Sequence, residues 1–205
     1  MSGMSSDARK SAPATARNRE PIFEVLRPLL PERGFVLEIA SGTGEHITGL
    51  AQASGSAVIF QPSDPDDDAR RSVDAWTREH ALANVRPAIV LDAAAETWPV
   101  ARADLVFCIN MIHISPWPAT EGLFRGAAGV LPSGGVLFTY GPYRRGGAHT
   151  SPGNASFDHD LRRSNPAWGI RDVEVVAELA SECGFAAPEI VEMPANNLSL
   201  VIRRN

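Results

Sequence analysis

Apolar and polar positions follow two rhythms along this chain. From Arg19 to Leu30, Ile22, Val25, Leu26 and Leu29 fall on one stripe at helical spacing, and Pro31 stops the helix they predict. Phe35 to Ala40, Ala57 to Gln61, Pro87 to Leu91, Ala103 to Ile109 and Val136 to Tyr140 are instead short, nearly continuous apolar runs. Such runs suit strands buried on both faces of a parallel sheet. Between them lie predicted helices at Glu45 to Ala53, from the acids Asp64 to Asp68 through about residue 83, and at Trp117 to Leu131. Asp66 to Asp68 read as capping and dipole-compensating acids at a helix start.

The end of the chain changes pattern. Asp172 to Cys183 is amphipathic, with Val173, Val176, Ala177 and Ala180 inward and Gly184 closing it. Ala187 to Met193 and Leu198 to Arg203 are then joined by four residues, Pro194 to Asn197, too few for a helical crossover, so this pair should be antiparallel. The expected fold is α/β: a single doubly wound, Rossmann-like domain from residue 17 onward, built on a mostly parallel seven-stranded sheet with a C-terminal antiparallel hairpin. Met1 to Ala16 reads as a disordered tail, and the Gly-, Ser-, Asn- and Pro-rich stretch from Arg144 to Trp168 as either a lid over a ligand or an ordered surface excursion.

Composition narrows the functional classes. With 205 residues and 44% hydrophobic content, one domain can bury a sizeable core. Nineteen basic and 24 acidic side chains leave a net charge of -5, which gives no overall attraction to nucleic acid or anionic lipid. No apolar run has the length of a membrane span, and Cys108 and Cys183 lack any disulfide or metal spacing, so a cytoplasmic protein with reduced thiols is expected. The five histidines show no familiar ligand spacing, and no metal is expected. Lys10 is the only lysine, which removes P-loop and Schiff-base chemistry from consideration.

The stretch VLEIASGTGEHITGL, Val36 to Leu50, is a strand, a glycine turn and a helix start, an arrangement that brings backbone amides close to a ligand. Counted from Gly42, the dinucleotide fingerprint would need a small residue where Ile47 stands, which argues against a nicotinamide or flavin cofactor. From Glu38 to Gly44 the chain resembles the first motif of the class I S-adenosylmethionine-dependent methyltransferases. The likeness continues through Asp64, Asp92, the VLPSGGVLFTY segment and the terminal hairpin. A narrower resemblance, carried by ARNREPI, QPSD, INMIHISPW, YGPY, FDHDLR, WGIRD and MPANN, is to the methyltransferase-like family called domain of unknown function 938. Ala40 stands where the wider class often has its first glycine.

The resemblance implies an enzyme that moves a methyl group from S-adenosylmethionine to an acceptor, a small molecule by preference or else a protein. Gly42 and Gly44 would let the turn pass beneath the methionyl and ribose portions, and Glu38 and Ala40 would shape it. Asp64 would accept from the ribose hydroxyls or cap a helix, and Asp92 with the Ala93 backbone would meet the adenine or simply form a turn. Asn110, Asn18 and Arg19 would gather at the methionyl end. His113 is placed as a base or as a pocket-shaping histidine, with Tyr143 as a second catalytic candidate. Tyr140, Asn154, Asp158, Asn196 and Asn197 are candidates for the acceptor, the last two equally readable as a tight turn. Two alternatives stay open: a non-catalytic protein that binds the same nucleoside, and a nicotinamide-dependent oxidoreductase.

Overall fold

A computed structural model describes residues 7–205. The first helix, α1 (Pro13–Leu26), starts with proline at its first turn, and a short 3-10 turn (Arg27–Leu29) ends it. Helix formation therefore begins six residues earlier than the apolar stripe predicts. Residues 7–16 are not a free tail: the Lys10 N–H donates to Ser72 Oγ (2.7 Å), the Ala12 N–H to Glu45 Oε2 (2.9 Å), and Trp76 Nε1–H to the Lys10 carbonyl (2.8 Å). The apolar stripe missed this segment because hydrogen bonds and the Arg9 guanidinium lying over Trp76 hold it, not buried aliphatic groups. The rest of the expected tail, Met1 to Ser6, lies outside the described residues.

The next elements are β1 (Gly34–Ile39), α2 (Glu45–Gln52), β2 (Val58–Ser63), α3 (Asp67–Glu79), β3 (Leu105–Ile109), α4 (Trp117–Val130) and β4 (Val136–Gly141). A two-stranded ribbon, β5 (Arg144–Arg145) with β6 (Ala148–His149), and helix α5 (Pro152–Ser164) occupy the stretch expected to be a lid or excursion. Helix α6 (Val173–Glu182) and the strands β7 (Glu189–Met193) and β8 (Asn197–Arg203) complete the chain. The sheet order is β2-β1-β3-β4-β8-β7, with β1 to β4 parallel and β8 antiparallel to both neighbours.

Six strands form this sheet, not seven. Pro87 to Leu91 does run beside β2, but only as isolated bridges, Phe60 with Val85 and Ser63 with Ile89. Pro62 in β2 and Pro87 opposite it each lack an N–H, so the ladder between them cannot become continuous.

Alternate residues of the strands feed two cores. Val36, Phe60, Phe107 and Phe138 face α1 and α2, while Leu37, Val106, Leu137 and Ile202 face α4 and α6. The chain moves from β1 outward to β2, then returns to place β3 on the other side of β1. That reversal opens a crevice at the carboxyl ends of β1 and β3, where doubly wound sheets bind ligands.

Candidate functional site

At the end of β1 the backbone turns sharply upward. Ala40, Gly42 and Gly44 all have positive φ, at 57°, 55° and 86°. Ala40 carries a Cβ in that region, a strain of about 1 kcal/mol that the surrounding bonds must hold. Those bonds are explicit: the Ser41 N–H donates to the Ser63 carbonyl, the Gly44 N–H to the Ser41 carbonyl, and Ser72 Oγ to the Thr43 carbonyl. Asn110, which ends β3 beside it, also has positive φ, 62°, in a conformation asparagine tolerates. Left-handed backbone thus follows both adjacent strands at the crevice.

Asp64 couples the turn to β2. Its Oδ2 accepts the Gly42 N–H and its Oδ1 the Asp66 N–H, both at 2.9 Å. The capping role belongs to Asp66, whose Oδ1 accepts from Ala69, while Asp67 and Asp68 pair with Arg70 and Arg71. Asp92 sits in a turn, its Oδ1 accepting the Ala94 N–H at 2.9 Å, and Ala93 is buried against Gly122 of α4.

Glu38 is the anomaly near the carboxyl end of β1. It is buried within β1, and its Oε2 has no hydrogen-bond partner. Burial raises its pKa to about 8, opposed by a hydrogen bond from Ser41 and reinforced by the Asp64 charge. A buried acid with an unpartnered oxygen near the strand ends suits a cation. At Gly42 an added Cβ would meet no protein atom within 4 Å, so the turn leaves open space beside it. The orphaned Glu38 oxygen, this open turn and the Asp64 carboxylate fit a group that carries an ammonium and a ribose diol.

A cleft of about 530 Å³ opens beside these strand ends. Its apolar wall includes Pro21, Ile114, Pro142, Phe157, Pro194 and Ala195. Its polar groups come from Arg17, Asn18, Asn110, Tyr140, Asn154 and Asn197. Asn18 joins the cleft to the glycine turn, because Nε2–H of His46, in the first turn of α2, donates to Asn18 Oδ1 (3.0 Å). Burial, with Arg19 nearby, lowers the His46 pKa to about 4, so its ring is neutral at pH 7. Burial raises the pKa of the Tyr140 phenol, an effect that nearby Asn18 opposes.

Several expected site residues stand elsewhere. His113 is fully buried: its Nδ1 accepts the Arg171 N–H (3.3 Å), its ring meets Tyr143 edge-on, and Gly141 presses on its other side. Burial and the Arg171 charge lower its pKa to about 3. Tyr143 is equally enclosed, shares a 2.7 Å hydrogen bond with Thr139 Oγ1, and has its pKa raised by burial. Neither side chain reaches the cleft, so the geometry does not support the expected catalytic contacts. Arg19 lies over Gly49 and Phe23 on the far side of α1, because Asn18 and Arg19, adjacent on a helix, must point apart. Asp158 ties α5 down by accepting the Ile170 N–H (2.6 Å) and pairs with Arg162 within the same helix. Asn196 has φ 57° in the tight turn, and its carbonyl accepts from Asn154.

The sequence reading missed Arg17, His46 and Phe157. A pattern signal existed for Phe157, an aromatic inside the suspected lid, but none distinguished Arg17 from the other arginines. Among the described residues no group of three or more His, Cys, Asp or Glu side chains converges as a metal site would require.

A family model described as "Protein of unknown function (DUF938)" matches residues 9–204. The chain belongs to this family. Solved structures share its fold. One is an O-methyltransferase family protein from Burkholderia thailandensis, with a TM-score of 0.78, 18% identity, and coverage of 94% of this chain and 57% of the other. Another is CalO1, a methyltransferase in calicheamicin biosynthesis in its SAH-bound form, at 0.76, 12%, 94% and 54%. A third is an O-methyltransferase family 2 protein from Planctomyces limnophilus DSM 3776 in complex with apigenin, at 0.76, 15%, 94% and 60%. This member of the family therefore has a methyltransferase-like α/β fold and spans little more than half the length of those proteins.

Proposed function

We propose that this protein is a methyltransferase that uses S-adenosylmethionine and acts on a small molecule. The observation that carries the reading is Glu38, an acid buried at the carboxyl end of β1 with one oxygen left without a partner. In that reading Glu38 takes the ligand ammonium, and the backbone at Gly42 and Gly44 approaches its methionyl and ribose portions. Asp64, already oriented by the Gly42 N–H, accepts from the ribose hydroxyls with its remaining lone pairs. Asp92 and the Ala93 backbone receive the adenine, and Asn110 and Asn18 border both the donor and the cleft. Bound there, S-adenosylmethionine supplies a methyl group on positively charged sulfur.

The protein's own contribution is placement and exclusion of water. Holding two reactants in near-attack geometry contributes about 7 to 11 kcal/mol of barrier lowering. The cleft walls supply that confinement, with Asn154 fixed by the Asn196 carbonyl and Asn197 by the Pro194 carbonyl. Among the described residues no helix is long and apolar enough to cross a membrane. A cytoplasmic setting with both thiols free is part of the same proposal.

Titration calorimetry with S-adenosylhomocysteine tests it. The wild type should bind, and Asp64→Ala and Asp92→Ala should each weaken binding about tenfold, the worth of one charge-assisted hydrogen bond. No heat with this ligand, alongside binding of a nicotinamide dinucleotide, would turn the reading into an oxidoreductase. Binding without any transfer from a labelled methyl donor would make the protein a binder only.

A further inference from the structure

The cleft has an unusual chemical balance. Ile114 and Phe157, at 42% and 43% exposure, are two of the few large hydrophobic side chains left open to solvent among the described residues, and both line it. Isolated exposed apolar groups are ordinary, but two converging across one cavity of about 530 Å³ mark an apolar ligand surface. Against this wall stands one full charge. Arg17 lies in α1, its guanidinium has no carboxylate within 4.0 Å among the described residues, and Met1 to Ser6 contain no acid.

The second feature is what the lining lacks. Among the described residues it contains no Asp, Glu, His, Cys or Lys. Tyr140 is its only other titratable group, and its phenol stays protonated at neutral pH because it is buried. His46 touches the site only through Asn18, while His113 and Tyr143 are sealed behind Gly141 and Thr139. Nothing there is suited to take a proton from an acceptor at pH 7.

We infer that the acceptor is a ring-sized, largely apolar anion, already ionised in solution, which Arg17 draws into the cleft and whose anionic atom itself receives the methyl group. This inference rests on the methyltransferase reading and specifies its substrate class. The acceptor's lone pair forms the new bond to the methyl carbon as the carbon–sulfur bond breaks with its electrons passing to sulfur. The anion and the sulfonium both become neutral, and no proton has to leave. Because charge disappears along the path, the apolar wall that the acceptor displaces water from favours the transition state over the separated ions. The neutral product no longer pairs with Arg17, which favours its release.

The test begins with binding to the protein saturated with S-adenosylhomocysteine, where no turnover occurs. In titration calorimetry 1-naphthoate should bind about fivefold more tightly than the neutral 1-naphthamide, the worth of one solvent-accessible ion pair. That preference should vanish in Arg17→Gln, survive in Arg17→Lys and shrink as salt is raised. Equal or tighter binding of the amide, or a preference that survives Arg17→Gln, overturns the inference. Failure of S-adenosylhomocysteine to bind at all overturns the methyltransferase reading instead. A second arm follows methyl transfer to thiophenols of graded acidity, whose midpoint pH should move with each acceptor. One midpoint common to the series, transfer to aniline in preference to the thiophenolates, or no transfer to any of them, overturns it too.

Discussion

The unpaired acid under the glycine turn makes a quantitative demand on ligand binding. Glu38 has a pKa raised from the usual 4.5 to about 8 by burial, so in the free protein it is protonated at pH 7. A pKa of about 8 leaves about nine carboxyls in ten protonated at that pH. If the ligand ammonium pairs with Glu38, the proton must leave, and binding at pH 7 should release close to one proton. Calorimetry of S-adenosylhomocysteine binding in buffers of different ionisation enthalpy counts that proton directly. The dissociation constant should fall roughly tenfold for each pH unit between about 5 and 8 and level off above, because deprotonation is then already complete. Glu38→Gln should abolish both the proton release and the pH slope. Stability runs the opposite way with pH. A folded-state pKa above the unfolded one makes the contribution of Glu38 fullest below pH 4.5, and it is lost as pH rises through 8. The gap corresponds to about 5 kcal/mol, an upper bound that denaturant titration across this range would register as a steadily falling midpoint. Ligand heats that do not depend on the buffer, or a proton release that persists in Glu38→Gln, would refute the assignment of the ammonium to this carboxyl.

Two further outcomes separate architecture from binding. Gly44→Ala forces a Cβ to within 2.7 Å of the Val73 Cα in a left-handed backbone, and should destabilise the fold by about 2 to 4 kcal/mol in chemical denaturation. Gly42→Ala meets open space, so it should cost only about 1 kcal/mol of strain while weakening nucleoside binding at least tenfold in calorimetry. Tyr143→Phe removes the hydroxyl partner of Thr139 and should lower stability by about 1 kcal/mol. Methyl transfer by that variant should stay within about twofold of wild type at every pH, since the ring sits outside the cleft; a lost alkaline or acidic limb in its pH profile would return Tyr143 to the chemistry.

Most of the architecture was legible in local pattern. Short apolar runs bounded by glycine and acid marked β1 to β4, because a strand covered on both faces has no polar side to show. The four-residue link Pro194 to Asn197 settled the antiparallel ending. The alternation of strands and helices also pointed to the carboxyl ends of the strands, since residues after consecutive parallel strands collect on one edge of a sheet, and the resemblance that starts at the first motif singled out Glu38, Gly42, Gly44 and Asp64 there. The seventh strand failed for a reason visible only in register: Pro62 and Pro87 are unremarkable separately and disruptive when they face each other.

Side-chain direction was beyond the sequence. Asn18 and Arg19 are adjacent and equally polar, yet the helix sends one towards His46 and the cleft and the other across Gly49. His113 follows β3, where a base or a pocket-shaping histidine was expected, and only the packing of Gly141, Tyr143 and Arg171 around it shows that its ring is enclosed. By itself the sequence determined the order of the strands along the chain, the crevice edge and the residues that end each strand, because those follow from periodicity and chain connectivity. Tertiary structure alone decided which of these side chains are buried, which point into the cleft and which charge is left unpaired, because burial and orientation depend on neighbours far away along the chain.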